Sequence, residues 1–249
     1  MNIVTTIVFV LLSFNALALP AKFTELLPFV QEAPDQGETN TCLYVASTGA
    51  MELLANKKNN ARDPRPYGKY DLAESFLIHA PTLNSSGKYY WEVPVLKFNR
   101  GYGIHINDWP YESWNNTDAS TSAWTFRQWA NLPKVELPPV ETIPLFVKGN
   151  RWSTNILTQA NVDQVKEALV THKSPVMINY NDNGFWHVIL IVGYNDNIPG
   201  FCYELTEKEC GDRKGAFYVR DSFGIPYELR DYDWFRVKGN AAFIVKEKL

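Results

Sequence analysis

The chain has 249 residues, 24 Lys and Arg against 27 Asp and Glu, and a formal net charge of −3. This mildly acidic balance, with no basic run, excludes an electrostatic nucleic-acid binder as the first reading. A hydrophobic content of 45% is that of an ordinary globular protein, and the length suits one large domain or two lobes sharing a core.

Met1 to Ala18 contains no charged side chain, and its apolar core, Ile3 to Leu12, is too short to span a bilayer. Ala16-Leu-Ala18 places small residues at the two sites a signal peptidase reads. The sequence therefore predicts a signal peptide over 1–18, an exported protein, secreted or periplasmic, and one domain over 19–249. No later stretch is apolar for long enough to be a transmembrane helix, and a soluble monomer without a membrane span is expected. Eight Trp and thirteen Tyr suit a cleft that holds an extended peptide or sugar, although most such rings are core.

In Gln36-Gly-Glu-Thr-Asn-Thr-Cys42, a Gly and three short polar residues lead into an uninterrupted run to about Asn56. Thr39, Asn40 and Thr41 are all able helix caps. Leu43, Ala46, Ala50, Leu53 and Leu54 recur at the three- and four-residue intervals of one buried helix face. Cys42 is thus placed in a first helical turn, where open N–H groups and the helix dipole favour a thiolate. A lone cysteine is as commonly a buried structural residue, and the local sequence leaves both readings open.

Asn56 to Lys69 is polar, with Pro64 and Pro66, and reads as loop. Short helices are expected over Leu72–His79 and Tyr89–Phe98, the second crossed by Pro94, then weak alternation over Gly101–Asn107. Ser120–Asn131 has the pattern of an aromatic-sided helix. Leu132–Pro144, with four prolines, reads as a crossover between lobes. Asn161 as cap, a helix over Val162–His172 and a strand over Pro175–Tyr180 follow. His79, His105 and His172 stand in no pattern. Asn84-Ser-Ser86 and Asn115-Asn-Thr117 fit the glycosylation acceptor pattern, meaningful only in a eukaryotic source.

Phe185-Trp-His187 opens an apolar run to Tyr194, and Phe217-Tyr-Val-Arg-Asp-Ser-Phe-Gly224 comes later. Cys202 and Cys210 bracket a seven-residue loop short enough to be closed by one bridge, which leaves Cys42 odd and flags it as reactive. The Cys and His spacings match no zinc pattern, so no metal is expected.

A Cys, then a His at a strand start, then an acid or amide at a strand end is the order of the papain-like cysteine peptidases, and this chain resembles that family. The resemblance covers nearly all of the chain after residue 20, strongly in three blocks and weakly between Lys57 and Val162. It implies an α+β fold of two lobes. One is helical, roughly 35–135, with the nucleophile helix; the other is β-barrel-like, roughly 136–249. It implies a Cys42–His187–Asp221 triad, with Gln36, six residues before Cys42, completing the oxyanion hole. Asp221-Ser-Phe-Gly224 looks like the family's Asn-Ser-Trp-Gly, and Tyr227 stands where a second aromatic is usual. Trp186, Phe223 and Tyr227 are accordingly expected on the substrate side.

Two departures are visible. Asp221 replaces the usual Asn and lies about 30 residues beyond the expected interval, which an insertion over Asn195–Gly215 accounts for. Leu43 and Phe223 replace the family's Trp residues. An Asp accepts the same His N–H bond, as in serine triads; its alternative role is a strand-end ion pair with Arg220 or Arg230. Only 17 residues separate Ala18 from Gln36, too few for the family's long inhibitory pro-segment, so an enzyme made without that latency is expected. The implied activity is cysteine endopeptidase, acting on peptide or protein substrates with no cofactor. Exopeptidase action, acyl transfer of the transglutaminase or transpeptidase kind, and a catalytically inactive binding module remain open, and intact Cys42, His187 and Gln36 argue against the last.

Overall fold

Helix α1 (Cys42–Lys58) is enclosed on nearly every side: Val45, Ala46, Ala50, Met51, Leu53 and Leu54 are buried, and so are Ser47, Thr48, Glu52 and Asn56. The spacing of Leu43, Ala46, Ala50 and Leu53 marks only one of its faces. A helix wrapped by other elements has no solvent stripe to contrast with its apolar one, so the expectation of a single buried face is too narrow. The computed structural model describes residues 18–37, 39–80, 88, 90–109, 131–148, 156–182, 184–199 and 214–248. The expected signal segment up to residue 17, the glycosylation patterns at Asn84 and Asn115, the body of the helix expected from Ser120, and the Cys202–Cys210 pair lie outside them.

Short elements pack on one flank of α1. Helix α2 (Glu74–His79) begins two residues later than expected, because Leu72 makes a β-bridge with His105 instead. Helix α3 (Val93–Leu96) runs on as a 3-10 turn over Lys97–Arg100 and stops at Gly101, whose left-handed φ of 84° ends it. Pro94 lies in the first turn of α3, where its missing N–H costs nothing, so it starts this helix and does not cross it.

The proline-rich stretch expected to be a crossover carries two strands. Strand β3 (Lys134–Glu136) pairs with β2 (Tyr102–Ile104), and β4 (Val140–Val147) joins the main sheet. Pro144 is tolerated because β4 is an edge strand with a register shift between Pro144 and Phe146.

The main sheet packs on the opposite flank of α1. Its other strands are β1 (Lys22–Phe23), β5 (Val176–Asp182), β6 (Phe185–Pro199), β7 (Lys214–Arg220), β8 (Glu228–Asp231) and β9 (Gly239–Glu247). The order is β4-β9-β5-β6-β7-β8, with β1 also on β6, and every pair is antiparallel. β4 and β8 remain as edges, so the part expected to be barrel-like is an open sheet.

Helices α4 (Gln159–His172) and α5 (Tyr232–Lys238) pack against the sheet. Thr158 caps α4 and Asn161 answers as the third helical residue in a capping box, so the expected cap, Asn161, lies one turn inside. The α+β class is as expected, and none of the described helices is long and apolar enough to cross a membrane.

Candidate active site

Three chain segments supply the site: the start of α1, the start of β6 and the end of β7. Cys42 is the first residue of α1, behind the cap position Thr41. Thr41 offers no side-chain cap; its hydroxyl meets that of Thr39 at 2.8 Å, and the Thr39 hydroxyl also donates to the Gln36 carbonyl at 2.7 Å. An uncapped first turn keeps N–H groups open to an anion. Cys42 itself is 8% exposed.

His187, near the start of β6, donates from Nε2 to Asp221 Oδ1 at 2.7 Å, and the Asp221 side chain is fully buried. The ring is held edge-on by Tyr180, with centroids 5.3 Å apart, and lies nearly parallel to Phe223 at 6.1 Å. With Nε2 committed to Asp221, Nδ1 is the ring nitrogen left for the neighbouring Cys42 side chain.

Burial works to lower the His187 pKa. The hydrogen bonds to Asp221 and Cys42, and their negative charges, outweigh it and push the pKa up to about 10. The ring is thus the cationic half of a thiol–imidazole pair at neutral pH.

Arg220, the last residue of β7, and Asp221, which follows it, face opposite ways. Arg220 is buried and turns to α1 and the segment before it, donating to Gln31 O, Val45 O and Glu32 O and to Glu52 Oε2 at 2.9 Å. Asp221 turns to His187. The period of two along a strand produces this split. Pairing with Arg220, one alternative role for Asp221, is therefore not what the structure shows.

Gln36 is buried, its Oε1 accepting from Ser222 Oγ at 2.6 Å and its Nε2 donating to Thr39 O at 2.8 Å. Its backbone N–H bonds Ser222 O at 3.0 Å. Ser222 thus fixes which end of the Gln36 amide is the donor and leaves that nitrogen one further N–H.

The chain as a whole is similar to several solved structures. Over 94% of its length it matches the cysteine protease and lectin-like domains of Cwp84, a surface layer associated protein of Clostridium difficile, with a TM-score of 0.59 at 15% identity. It matches 92% of its length to the bromelain protease of Ananas comosus, covering 100% of that chain, with a TM-score of 0.56 at 12% identity. It matches xylellain, a cysteine protease from Xylella fastidiosa, with a TM-score of 0.53 at 16% identity, covering 93% of this chain and 88% of that one.

The fold is that of the papain-like cysteine proteases. No family model matches the chain, and no curated protein matches it. The chain spans 53% of the Cwp84 chain above and 58% of a second Cwp84 chain it matches.

In this papain-like fold a cleft of about 520 Å³ opens beside Cys42, lined among others by Leu43, Tyr44, Tyr90, Pro94, Asn179 and Trp186. Trp186 is part of the wall of that cleft. Phe223 and Tyr227 are not in its wall. They lie on the exposed segment after Asp221, 52% and 40% exposed, with Phe223 over the His187 ring and Tyr227 edge-on to Tyr218. Asn179 was not singled out from sequence, although one amide among Val176, Met177, Ile178 and Tyr180 is a signal of its own. Its Oδ1 is buried and accepts no hydrogen bond among the described residues.

Proposed function

We propose that the chain is a papain-like cysteine peptidase that hydrolyses peptide bonds through Cys42, His187, Asp221 and Gln36. The carrying observation is His187, which hydrogen-bonds a fully buried carboxylate and has a helix-start cysteine beside it that helps to raise its pKa. The Cys42 thiolate attacks the scissile carbonyl and forms a C–S bond. The oxyanion that develops is met by the Cys42 N–H and the remaining Gln36 Nε2–H. The His187 imidazolium then gives its Nδ1 proton to the departing amine as the C–N bond breaks, leaving a thioester. His187, now neutral, takes a proton from the attacking water, and the C–S bond breaks to give a carboxylic acid and the Cys42 thiolate beside the His187 imidazolium, the starting pair. Asp221 keeps the ring aligned throughout.

One substrate side chain occupies the cleft beside Trp186 and Tyr90, and residues beyond the scissile bond run past Phe223 and Tyr227. The lobes over roughly 35–135 and 136–249 hold the two sides of the site. No cofactor is needed beyond a reducing environment for the thiol. Export by an N-terminal signal, a Cys202–Cys210 bridge and a monomeric state complete the proposal.

The test is a peptide library incubated with purified protein and with its Cys42→Ala variant under reducing conditions. Cleavage by the parent alone is expected. A product carrying an added amine in place of water assigns acyl transfer instead. Absence of any turnover by the folded parent overturns the enzymatic reading.

A further inference from the structure

The two oxygens of the Asp221 carboxylate have different surroundings. Oδ1 accepts from His187 Nε2 at 2.7 Å, from the Ser222 N–H at 2.7 Å and from Ser222 Oγ at 3.3 Å. Oδ2 is buried and accepts no hydrogen bond among the described residues, and Arg230 Nη2 stands 3.9 Å from it. The Arg230 side chain is itself only 13% exposed. It is braced by Glu228 Oε1 at 2.5 Å and lies over the Trp234 ring at 5.2 Å. Trp234 meets Tyr180 edge-on at 4.7 Å, and Tyr180 meets His187. Arg230 therefore reaches the catalytic ring along two routes, one electrostatic and one of packed aromatics.

An Asn at position 221 would orient His187 as a neutral group. Asp221 adds a full negative charge in a dry place, which strengthens the hold on the ring's proton. A ring held too firmly protonated is a poor acid for the leaving amine. A guanidinium 3.9 Å from the free oxygen offsets that charge at its source.

We propose that Arg230 is a positioning residue for the His187–Asp221 pair, its guanidinium steadying the second carboxylate oxygen and offsetting the charge that distinguishes Asp221 from an amide. The proposal rests on the peptidase reading only for its kinetic consequences.

Among the described residues, the charged and titratable groups facing His187 are Cys42 from α1, Tyr180 from β5, Asp221 after β7, and Glu228 and Arg230 from β8. Loss of the guanidinium makes this set more negative and favours the protonated ring. Burial already pushes the Glu228 carboxyl up, so without its partner Glu228 moves further toward its neutral form.

The experiment is an NMR titration of the His187 ring in the parent, Arg230→Met, Arg230→Lys, Glu228→Gln, Asp221→Asn and the Asp221→Asn/Arg230→Met double variant, with thermal melts of each. Arg230→Met is expected to raise the His187 pKa by about one unit. Arg230→Lys restores most of the parent value, and Glu228→Gln, which removes the competing carboxylate, moves it down. In the Asp221→Asn background the Met substitution moves the pKa by less than half as much, the non-additivity of residues in one network. On peptide substrates, Arg230→Met lowers kcat with KM nearly unchanged.

Equal shifts in the Asp and Asn backgrounds overturn the proposal, as does a folded Arg230→Met protein whose His187 titrates like the parent. Should Arg230→Met fail to fold, an unmoved His187 in Glu228→Gln overturns it equally. The titration needs no turnover, so failure of the peptidase reading and failure of this proposal are separate results.

Discussion

A Cβ on Gly49 would stand 2.1 Å from Arg220 Nη1. The glycine in the middle of α1 is the opening through which the guanidinium reaches Val45 O at 2.9 Å and Glu52 Oε2 at 2.9 Å. Arg220 directly precedes Asp221, so the latch ties the residue that orients His187 to the helix that carries Cys42.

Gly49→Ala ought to strengthen an ordinary helix by about 1 kcal/mol. Here it forces a buried guanidinium off its acceptors and strands Glu52, and a loss of about 3–5 kcal/mol is expected. Urea unfolding of the two proteins measures it. An Ala variant as stable as the parent would show that Arg220 has another place to go.

Ser222 and Gln36 make a graded pair. Gln36→Ala removes an oxyanion donor, and a fall of about 10²–10³ in kcat is expected. Because its side chain is buried and bonded at both ends, the variant also loses about 1–2 kcal/mol of stability. Ser222→Ala leaves the Gln36 amide in place but free to turn, so its kcat falls less. Steady-state kinetics and melts on both variants test the order; a Ser222→Ala loss as large as that of Gln36→Ala would mean the hydroxyl acts on Asp221, which it also meets at 3.3 Å.

The three blocks around Cys42, His187 and Asp221 are legible because each is local: short polar residues leading into a helix, a His opening an apolar strand, an acid following one. What escapes is set by partners far along the chain. Leu132–Pro144 reads as a proline-rich connection until β2 and β9 are there to pair with it. The enclosure of α1 depends on a sheet whose strands come from both ends of the chain, so its own periodicity shows only one side. Gly49 carries no local sign of Arg220, and Asn161 passes as a cap because a Thr three residues earlier does that work with its help.

Asn179 bears on which peptides are taken. Its Oδ1 is a buried acceptor without a hydrogen bond among the described residues, in a wall that also holds Leu43, Tyr44, Pro94, Lys97 and Val188. A substrate side chain ending in a hydrogen-bond donor satisfies it once the Asn179 amide turns toward the cleft, and an aliphatic one leaves it unpaired at about 1–3 kcal/mol. The parent is therefore expected to favour donor-bearing side chains at this position by about tenfold or more, and Asn179→Val to reverse the order. Competing peptide pairs differing at that one side chain decide it through kcat/KM; an unchanged order in the Val variant would place the specificity elsewhere.

Asp221 itself makes the sharpest prediction. The active thiolate–imidazolium pair exists only below the pH at which His187 loses its proton, so the His187 pKa, held up to about 10, sets the alkaline limit. Burial lowers that pKa and the two negative neighbours raise it. Asp221→Asn keeps an oxygen to accept from Nε2 and removes one negative charge, so the ring releases its proton at lower pH. The alkaline limb of kcat/KM moves down accordingly, with much of the activity near neutral pH retained. Asp221→Ala loses the hydrogen bond as well as the charge, and its rate falls further across the whole range. A pH–rate profile of the three proteins is the measurement. An alkaline limb that stays in place in the Asn variant, or an Ala variant as active as the parent, would reduce Asp221 to a strand-end residue paired with Arg230.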